Sequence, residues 1–149
     1  MKRLLTMAAL LCGLGGSALA QDEPEQAAGS ALTTADITAI RQAVKAQLEA
    51  FAKGDAATAF ALATSEKRMM IGSADNFMQL IRESYEPIYR NKVLIFSEPK
   101  VVEGMALQTV RVTDSHSRVW VAIFWMQQDE ESNWKIDGCH LVETSIISV

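Results

Sequence analysis

The sequence predicts an α+β domain, in which helices from the first half of the chain pack on one face of an antiparallel sheet formed by the second half. Apolar residues recur at helical spacings of three and four as far as Tyr85. Beyond Asn91, short segments rich in β-branched and aromatic residues alternate with turn residues. The longest of these segments, 119–126, is apolar at all eight positions. Such a run is typical of a central strand that is covered on both faces.

The first helix is predicted from Thr33 to Lys53. Thr33 can cap its N-terminus, and Asp36, three residues later, favours the positive end of the helix dipole. Gly54 can end the helix, since glycine adopts the left-handed conformation without penalty. The apolar stripe of this helix consists of Ile37, Ile40, Val44, Leu48 and Phe51.

Two shorter helices, 56–63 and 74–85, are predicted next, and each follows a residue that can cap it. Pro87 stops the second of them, because proline disfavours helix at the residue before it. The stretch between them, 64–72, is polar at first and apolar later. It is predicted as a loop with an anchoring apolar segment.

Strands are predicted in the second half, over 92–97, 100–103, 105–113, 116–127 and 134–143. Turn residues such as Glu98-Pro99 and Glu103-Gly104 separate them. The last two strands, joined by a polar turn, are expected to form the central hairpin of the sheet.

The N-terminus has the three parts of a secretory signal peptide. Two basic residues precede an apolar run, 4–14, and small residues follow at Ala18 and Ala20, which signal peptidase requires. Cleavage is predicted after Ala20, so the protein is expected in the periplasm or outside the cell. Acylation of Cys12 is an alternative, disfavoured because Leu11 precedes it where a small residue is required.

The mature chain is expected to begin with an acidic, flexible leader, 21–32, and to continue as a single domain, 33–149. The whole chain has 14 Lys and Arg against 18 Asp and Glu. Removing Lys2 and Arg3 leaves 12 basic residues against 18 acidic ones, a net charge of −6. Such a domain is a poor candidate for binding nucleic acid or anionic membranes. No second long apolar run follows, so no stable membrane insertion is expected.

Three features carry a resemblance to a known family. They are 47–60 (QLEAFAKGDAATAF), Asn76-Phe77-Met78 with 85–89 (YEPIY), and 134–141 (WKIDGCHL). Together they resemble a bacterial family, the domain of unknown function 4864, over roughly 37–142. The helix order and final sheet are similar to the nuclear-transport-factor-2-like superfamily, which implies a curved sheet shaped as a cone, as in cystatin-like folds. That superfamily includes isomerases, dehydratases and non-catalytic binding domains, so fold analogy does not choose among them.

A cone-shaped sheet closed by helices leaves a pocket between the two layers. Large aromatic residues could line this pocket and bind a small apolar ligand. Taken singly, each is more often an ordinary core residue, since large aromatics dominate cores. The candidates are Tyr85, Tyr89, Trp120, Phe124 and Trp134, with Trp125 and Met126 beside them.

A proton-transfer enzyme would need a carboxylate of raised pKa and a hydrogen-bond donor for a developing oxyanion. Asp137 is the carboxylate within a central strand pattern, and Tyr85 or Tyr89 could be the donor. Regular alternation places Asp137 on the face opposite Trp134 and His140. The simpler interpretation is a solvated aspartate on the outer face of the sheet.

Two histidines and one mature cysteine are the other chemically versatile residues. His116 adjoins a turn and is predicted to be exposed, whereas His140, in a strand, is either a base or a half-buried structural residue. Cys139 has no partner for a disulfide and is predicted to be a buried apolar residue. Cys139 and His140 would point to opposite faces, so no metal site is expected, and no cofactor motif occurs.

These residues favour an exported, non-catalytic binding or interaction domain, whose partner is a small apolar ligand or an envelope protein. The alternative is a small pocket enzyme of the isomerase or dehydratase type, using Asp137 with Tyr85 or Tyr89. A homodimer through the sheet is also expected. Helices can cover one face of the strand 119–126, and a second copy could cover the other.

Overall fold

The computed structural model describes residues 31–144 of the chain. The predicted signal peptide, nearly all of the leader and residues 145–149 lie outside the described residues. Within the described part, the helices come first: α1 (Thr34–Lys53), α2 (Ala56–Ala61), α3 (Ser65–Ile71), α4 (Ala74–Ser84) and α5 (Glu86–Tyr89). The strands follow them: β1 (Asn91–Phe96), β2 (Lys100–Val102), β3 (Met105–Asp114), β4 (Val119–Gln128) and β5 (Trp134–Glu143). The predicted α+β class is confirmed.

Helix α1 is capped at both ends by the residues that the sequence indicates. Thr33 Oγ1 accepts a hydrogen bond from Asp36 N (3.1 Å), and the Asp36 carboxylate accepts one from Thr33 N (3.0 Å). Gly54 follows the helix with a φ of 69°, a conformation that favours glycine, and its N–H bonds back to the carbonyls of Ala50 and Phe51. These caps set the ends of the helix whose apolar stripe packs on the sheet.

Two short helices lie where the sequence analysis did not predict them. The stretch 64–72, predicted as a loop, contains α3. Thr64 caps this helix by accepting a hydrogen bond from Lys67 N (3.4 Å), and Gly72 ends it with a φ of 92°. None of its residues is buried, so it lacks the apolar stripe by which a helix is recognised in sequence. Helix α5 has Pro87 in its first turn, where the missing N–H needs no partner.

The sheet is antiparallel throughout, with the order β1-β3-β4-β5. One side of β3 pairs with β4, and its other side pairs first with β2 and then with β1. Strand β4 begins at Val119, three residues later than predicted, because 115–118 form a turn closed by a hydrogen bond from Asp114 N to Arg118 O. On the edge of β5, Ile136 makes a parallel bridge with Ala63.

A β-bulge in β5 decides which side chains face the helices. Trp125 pairs with Gly138 and Met126 pairs with Ile136, so Asp137 is an extra residue opposite no partner. Side-chain alternation therefore reverses at this point. The prediction that His140 shares a face with Trp134 was wrong, because one inserted residue exchanges the two faces of the strand beyond it.

The helices cover the inner face of the sheet, where the core lies. Ala122, Phe124 and Met126 of β4 are buried there, and Gln47 of α1 donates from its Nε2 to Ala59 O (3.1 Å) within the core. The alternate side chains of β4, Val121, Ile123 and Trp125, remain half-exposed on the outer face. No helix within residues 31–144 is both long and apolar enough to cross a bilayer.

Candidate functional site

An apolar cavity of about 120 Å³, the helix–sheet cavity, lies between the helices and the strands β4 and β5. The more exposed lining residues, Lys67, Ile71 and Leu80, form its mouth between α3 and α4, and Leu80 is 40% exposed. The side chains of its floor are almost inaccessible to water, namely Phe51, Ile88, Phe124 and Ile136. A concave apolar site with a few polar groups is the usual form of a small-ligand site.

Tyr85 and Cys139 lie in the wall of the helix–sheet cavity. The Tyr85 hydroxyl donates to the carbonyl oxygen of Cys139 (3.4 Å). Burial, with a smaller contribution from the Cys139 charge, raises the pKa of Tyr85. Burial alone raises the pKa of the Cys139 thiol to about 12. At neutral pH both groups are therefore uncharged, and the thiol is a poor nucleophile because the thiolate is the reactive form.

Asp137 lies at the bulge and takes part in a structural contact rather than in the cavity wall. Its carboxylate accepts hydrogen bonds from Thr64 Oγ1 (2.9 Å) and Gln127 Nε2 (3.2 Å). It is half-buried, and it is not among the described residues that line the helix–sheet cavity. Within residues 31–144, no hydrogen bond joins it to Tyr85 or Tyr89. The bulge carboxylate therefore ties β5 to the start of α3.

The predicted ligand-binding aromatics are divided among different parts of the fold. Tyr85 and Phe124 line the helix–sheet cavity. Tyr89 lies outside it, with the Arg82 guanidinium 5.6 Å from its ring centroid. Trp120 Nε1 donates to the Asp114 carboxylate (3.0 Å) in the turn between β3 and β4.

Trp134 belongs to a second, more polar cleft of about 520 Å³ beside the start of α1. Its Nε1 donates to the Asp36 carboxylate (3.1 Å), the group that also caps α1. Gln127, Gln128 and Met105 are other members of the lining. Here the tryptophan holds the first helix against the sheet, so a structural hydrogen bond accounts for its position.

The two histidines both face solvent. His116 is exposed, as predicted, and the bulge places His140 on the outer face beside Ile123. Neither lines the helix–sheet cavity. Among residues 31–144, no three His, Cys, Asp or Glu side chains come together as they would in a metal site.

The outer face of the sheet carries many uncovered apolar side chains. In the described part, the exposed ones are Val93, Ile95, Val102, Met105 and Val142, and the half-exposed ones include Leu107, Val121, Ile123 and Trp125. The polar members of this face include Thr109, Arg111, Thr113 and His140. Exposed apolar side chains gathered on one face of a sheet are a feature of interaction sites.

The residues at the mouth of the helix–sheet cavity were missed in the sequence analysis. Lys67 and Ile71 are four residues apart, which places them on one side of a helix. This four-residue spacing indicates a shared face only if 64–72 is helical. The sequence analysis predicted a loop there. Gln47 was missed too, because a glutamine within an apolar stripe gives no sign of burial.

Comparison with known proteins gives a family and no activity. No curated protein and no solved structure matches this chain with significance. One family model matches it, described as domain of unknown function (DUF4864), over residues 33–148. The match includes every helix and strand described here and covers most of the chain, so the protein belongs to the DUF4864 family.

Proposed function

We propose that this protein is an exported, non-catalytic binding domain whose helix–sheet cavity holds a small apolar molecule. The observation that carries the proposal is the cavity itself, with a floor of almost inaccessible apolar side chains and a partly exposed mouth. Moving an apolar ligand from water into such a site lowers the free energy. The predicted signal peptide supports a location outside the cytoplasm.

The alternative, a pocket enzyme using Asp137, has weaker support. General acid–base catalysis requires a group within hydrogen-bonding reach of the substrate. The Asp137 carboxylate is occupied by Thr64 and Gln127, and the titratable groups in the cavity wall, Tyr85 and Cys139, stay protonated at neutral pH. An enzyme of this kind would lose turnover in an Asp137→Asn variant, whereas ligand binding in the cavity would be unchanged.

A second copy of the chain is proposed as the cover of the outer face. Strands β3, β4 and β5 have ten residues each, and β1 and β2 together have nine along the other side of β3. At a rise of about 3.4 Å per residue and a spacing of about 4.8 Å, this face, four strands wide, measures about 600 Å². Two such faces brought together would bury about 1,200 Å², the lower end of the range for stable interfaces. The helix–sheet cavity lies on the other side of the sheet and would stay accessible in this dimer.

The binding proposal is tested with hexan-1-ol as the probe, titrated into the purified protein while the amide signals of β5 are followed by NMR. The matched variants are Cys139→Leu, which fills the helix–sheet cavity, and Cys139→Ala, which removes the thiol but leaves the space. We expect the wild type and Cys139→Ala to bind and Cys139→Leu to bind at least tenfold more weakly. Equal binding by a folded Cys139→Leu protein would place the ligand elsewhere.

Native mass spectrometry of the protein purified from its own host's envelope fraction gives a second test. A bound small molecule that is lost in Cys139→Leu would identify the natural ligand directly. The same mass spectrum would also report whether the protein is the proposed dimer.

A further inference from the structure

The lining of the helix–sheet cavity carries a charge at one point, at its mouth. Lys67 is the one charged residue among the described residues that line it. The residue is half-buried, as is typical of a lysine whose apolar stem covers apolar surface while its ammonium group reaches water. No ion pair joins it to a carboxylate within residues 31–144.

The neighbouring carboxylates do not neutralise this charge. Asp137 is connected to Lys67 only through Thr64, whose hydroxyl donates to the carboxylate and accepts from Lys67 N. The other carboxylate oxygen of Asp137 accepts from Gln127. Glu66, the adjacent residue in the chain, is exposed to solvent. The mouth therefore presents a cation whose charge has no partner among the described side chains.

The volume of the cavity limits the apolar part of the ligand. A dry apolar cavity of about 150 Å³ holds benzene, so a volume of about 120 Å³ has room for about five carbon atoms. A charged group could not enter this floor, because an unpaired charge is strongly disfavoured away from water. At the half-exposed mouth, an anion keeps part of its hydration and gains Lys67 as a partner.

We propose that the ligand is a small amphipathic anion, with about five carbon atoms in the helix–sheet cavity and a carboxylate or similar head group against Lys67. This inference rests on the proposed function, since it names the chemical class of the ligand for the same cavity. The competing explanation is that Lys67 only covers apolar surface with its stem, in which case the charge of the ligand would be irrelevant.

The test compares three probes of equal chain length, hexanoate, hexan-1-ol and hexylamine, titrated into the purified protein with β5 amide shifts as the readout. Two variants accompany the wild type. Lys67→Met keeps an unbranched apolar stem and removes the charge, and Lys67→Arg keeps the charge. We expect hexanoate to bind the wild type about three to ten times more tightly than hexan-1-ol, as for a partly exposed ion pair, and hexylamine to bind most weakly.

Lys67→Met should abolish the preference for hexanoate over hexan-1-ol, because that variant loses the charge. Lys67→Arg should retain the preference. Equal affinities of the wild type for hexanoate and hexan-1-ol would overturn the inference but leave the binding proposal intact. If neither probe shifts the β5 amides, the proposed function itself fails, and this inference with it.

Discussion

At the scale of single residues, Asp114 holds together the turn between β3 and β4. Its carboxylate accepts hydrogen bonds from His116 N (2.8 Å), from Arg118 N and Nε (both 2.9 Å) and from Trp120 Nε1 (3.0 Å). Burial raises the pKa of this carboxyl group, but the donors outweigh burial and lower the pKa to about 2. The native turn therefore stabilises the ionised form of Asp114.

We expect Asp114→Asn to lower the melting temperature at pH 7, because asparagine replaces an ionised acceptor of several hydrogen bonds by a neutral amide. The folded pKa lies below the ordinary value of 3.8, so the unfolded chain takes up the proton first as the pH falls. The stabilisation is thus complete above about pH 4 and lost between about pH 4 and 2. The melting temperatures of the wild type and of Asp114→Asn, measured from pH 7 to pH 2, test this expectation. The difference between them should shrink as the pH falls from about 4 to about 2.

Glu98→Gln, an exposed carboxylate in the loop between β1 and β2, is the matched control for the change of charge. Its melting temperature should stay close to that of the wild type at every pH. A difference between the wild type and Asp114→Asn that persists undiminished at pH 2 would show that shape, and not ionisation, is what the turn requires.

At the scale of secondary-structure elements, Thr64 links α3 to β5. Its hydroxyl caps α3 and donates to Asp137 at the bulge, while its backbone N–H bonds to Ile136 O (3.0 Å). Helix α3 has no buried residue of its own. Its position, and therefore the mouth of the helix–sheet cavity, depends on these polar contacts and on Ile71, which packs against the core.

We expect Thr64→Ala to cost about 1–2 kcal/mol of unfolding free energy, since it removes an N-cap and a hydrogen bond to a carboxylate. Urea denaturation measures the loss. Hydrogen exchange should also quicken in α3 more than in α1. Thr38→Ala, which removes an exposed hydroxyl contact within α1, should change stability by less than about 0.5 kcal/mol. Equal effects of the two substitutions would mean that the link to β5 contributes nothing.

The elements that could be predicted are those whose signals are local. The caps of α1 at Thr33 and Gly54 depend on neighbours in the chain, and both are confirmed. The bulge at Asp137 depends on how β5 pairs with β4, and no local pattern reveals that register. The candidate site was predicted only in part for the same reason: Tyr85 and Phe124 line the cavity, but its mouth belongs to a helix without an apolar stripe.

At the scale of the whole molecule, the sheet separates two surfaces with different properties. The inner face holds the core and the helix–sheet cavity, and the outer face presents uncovered apolar side chains. Ile123 lies near the middle of that face, between Thr109 of β3 and His140 of β5. A charge placed there would be buried without a partner in a dimer but would remain in water in a monomer.

We therefore expect the wild type to be a dimer at micromolar concentration and Ile123→Lys to be a monomer with an unchanged circular dichroism spectrum. Sedimentation velocity measures the two states. Met69→Lys is the matched control, since Met69 is 77% exposed on α3, away from the outer face, and this variant should remain a dimer. A wild type that sediments as a monomer at these concentrations would remove the proposed interface.

The bulge at Asp137 also shifts the phase of side-chain alternation in β5. Even-numbered residues such as Ile136 face inward before it, and odd-numbered residues such as Cys139 face inward after it. Deleting Asp137 would remove the bulge and leave a regular strand in which Cys139 still faces inward and His140 outward, whereas one further inserted residue would turn Cys139 outward and His140 inward. We expect the deletion variant to be soluble and the insertion variant to misfold, which the soluble yields of the two proteins would reveal. A relative that gains one residue at this point would present different chemistry to its cavity while keeping nearly the same sequence.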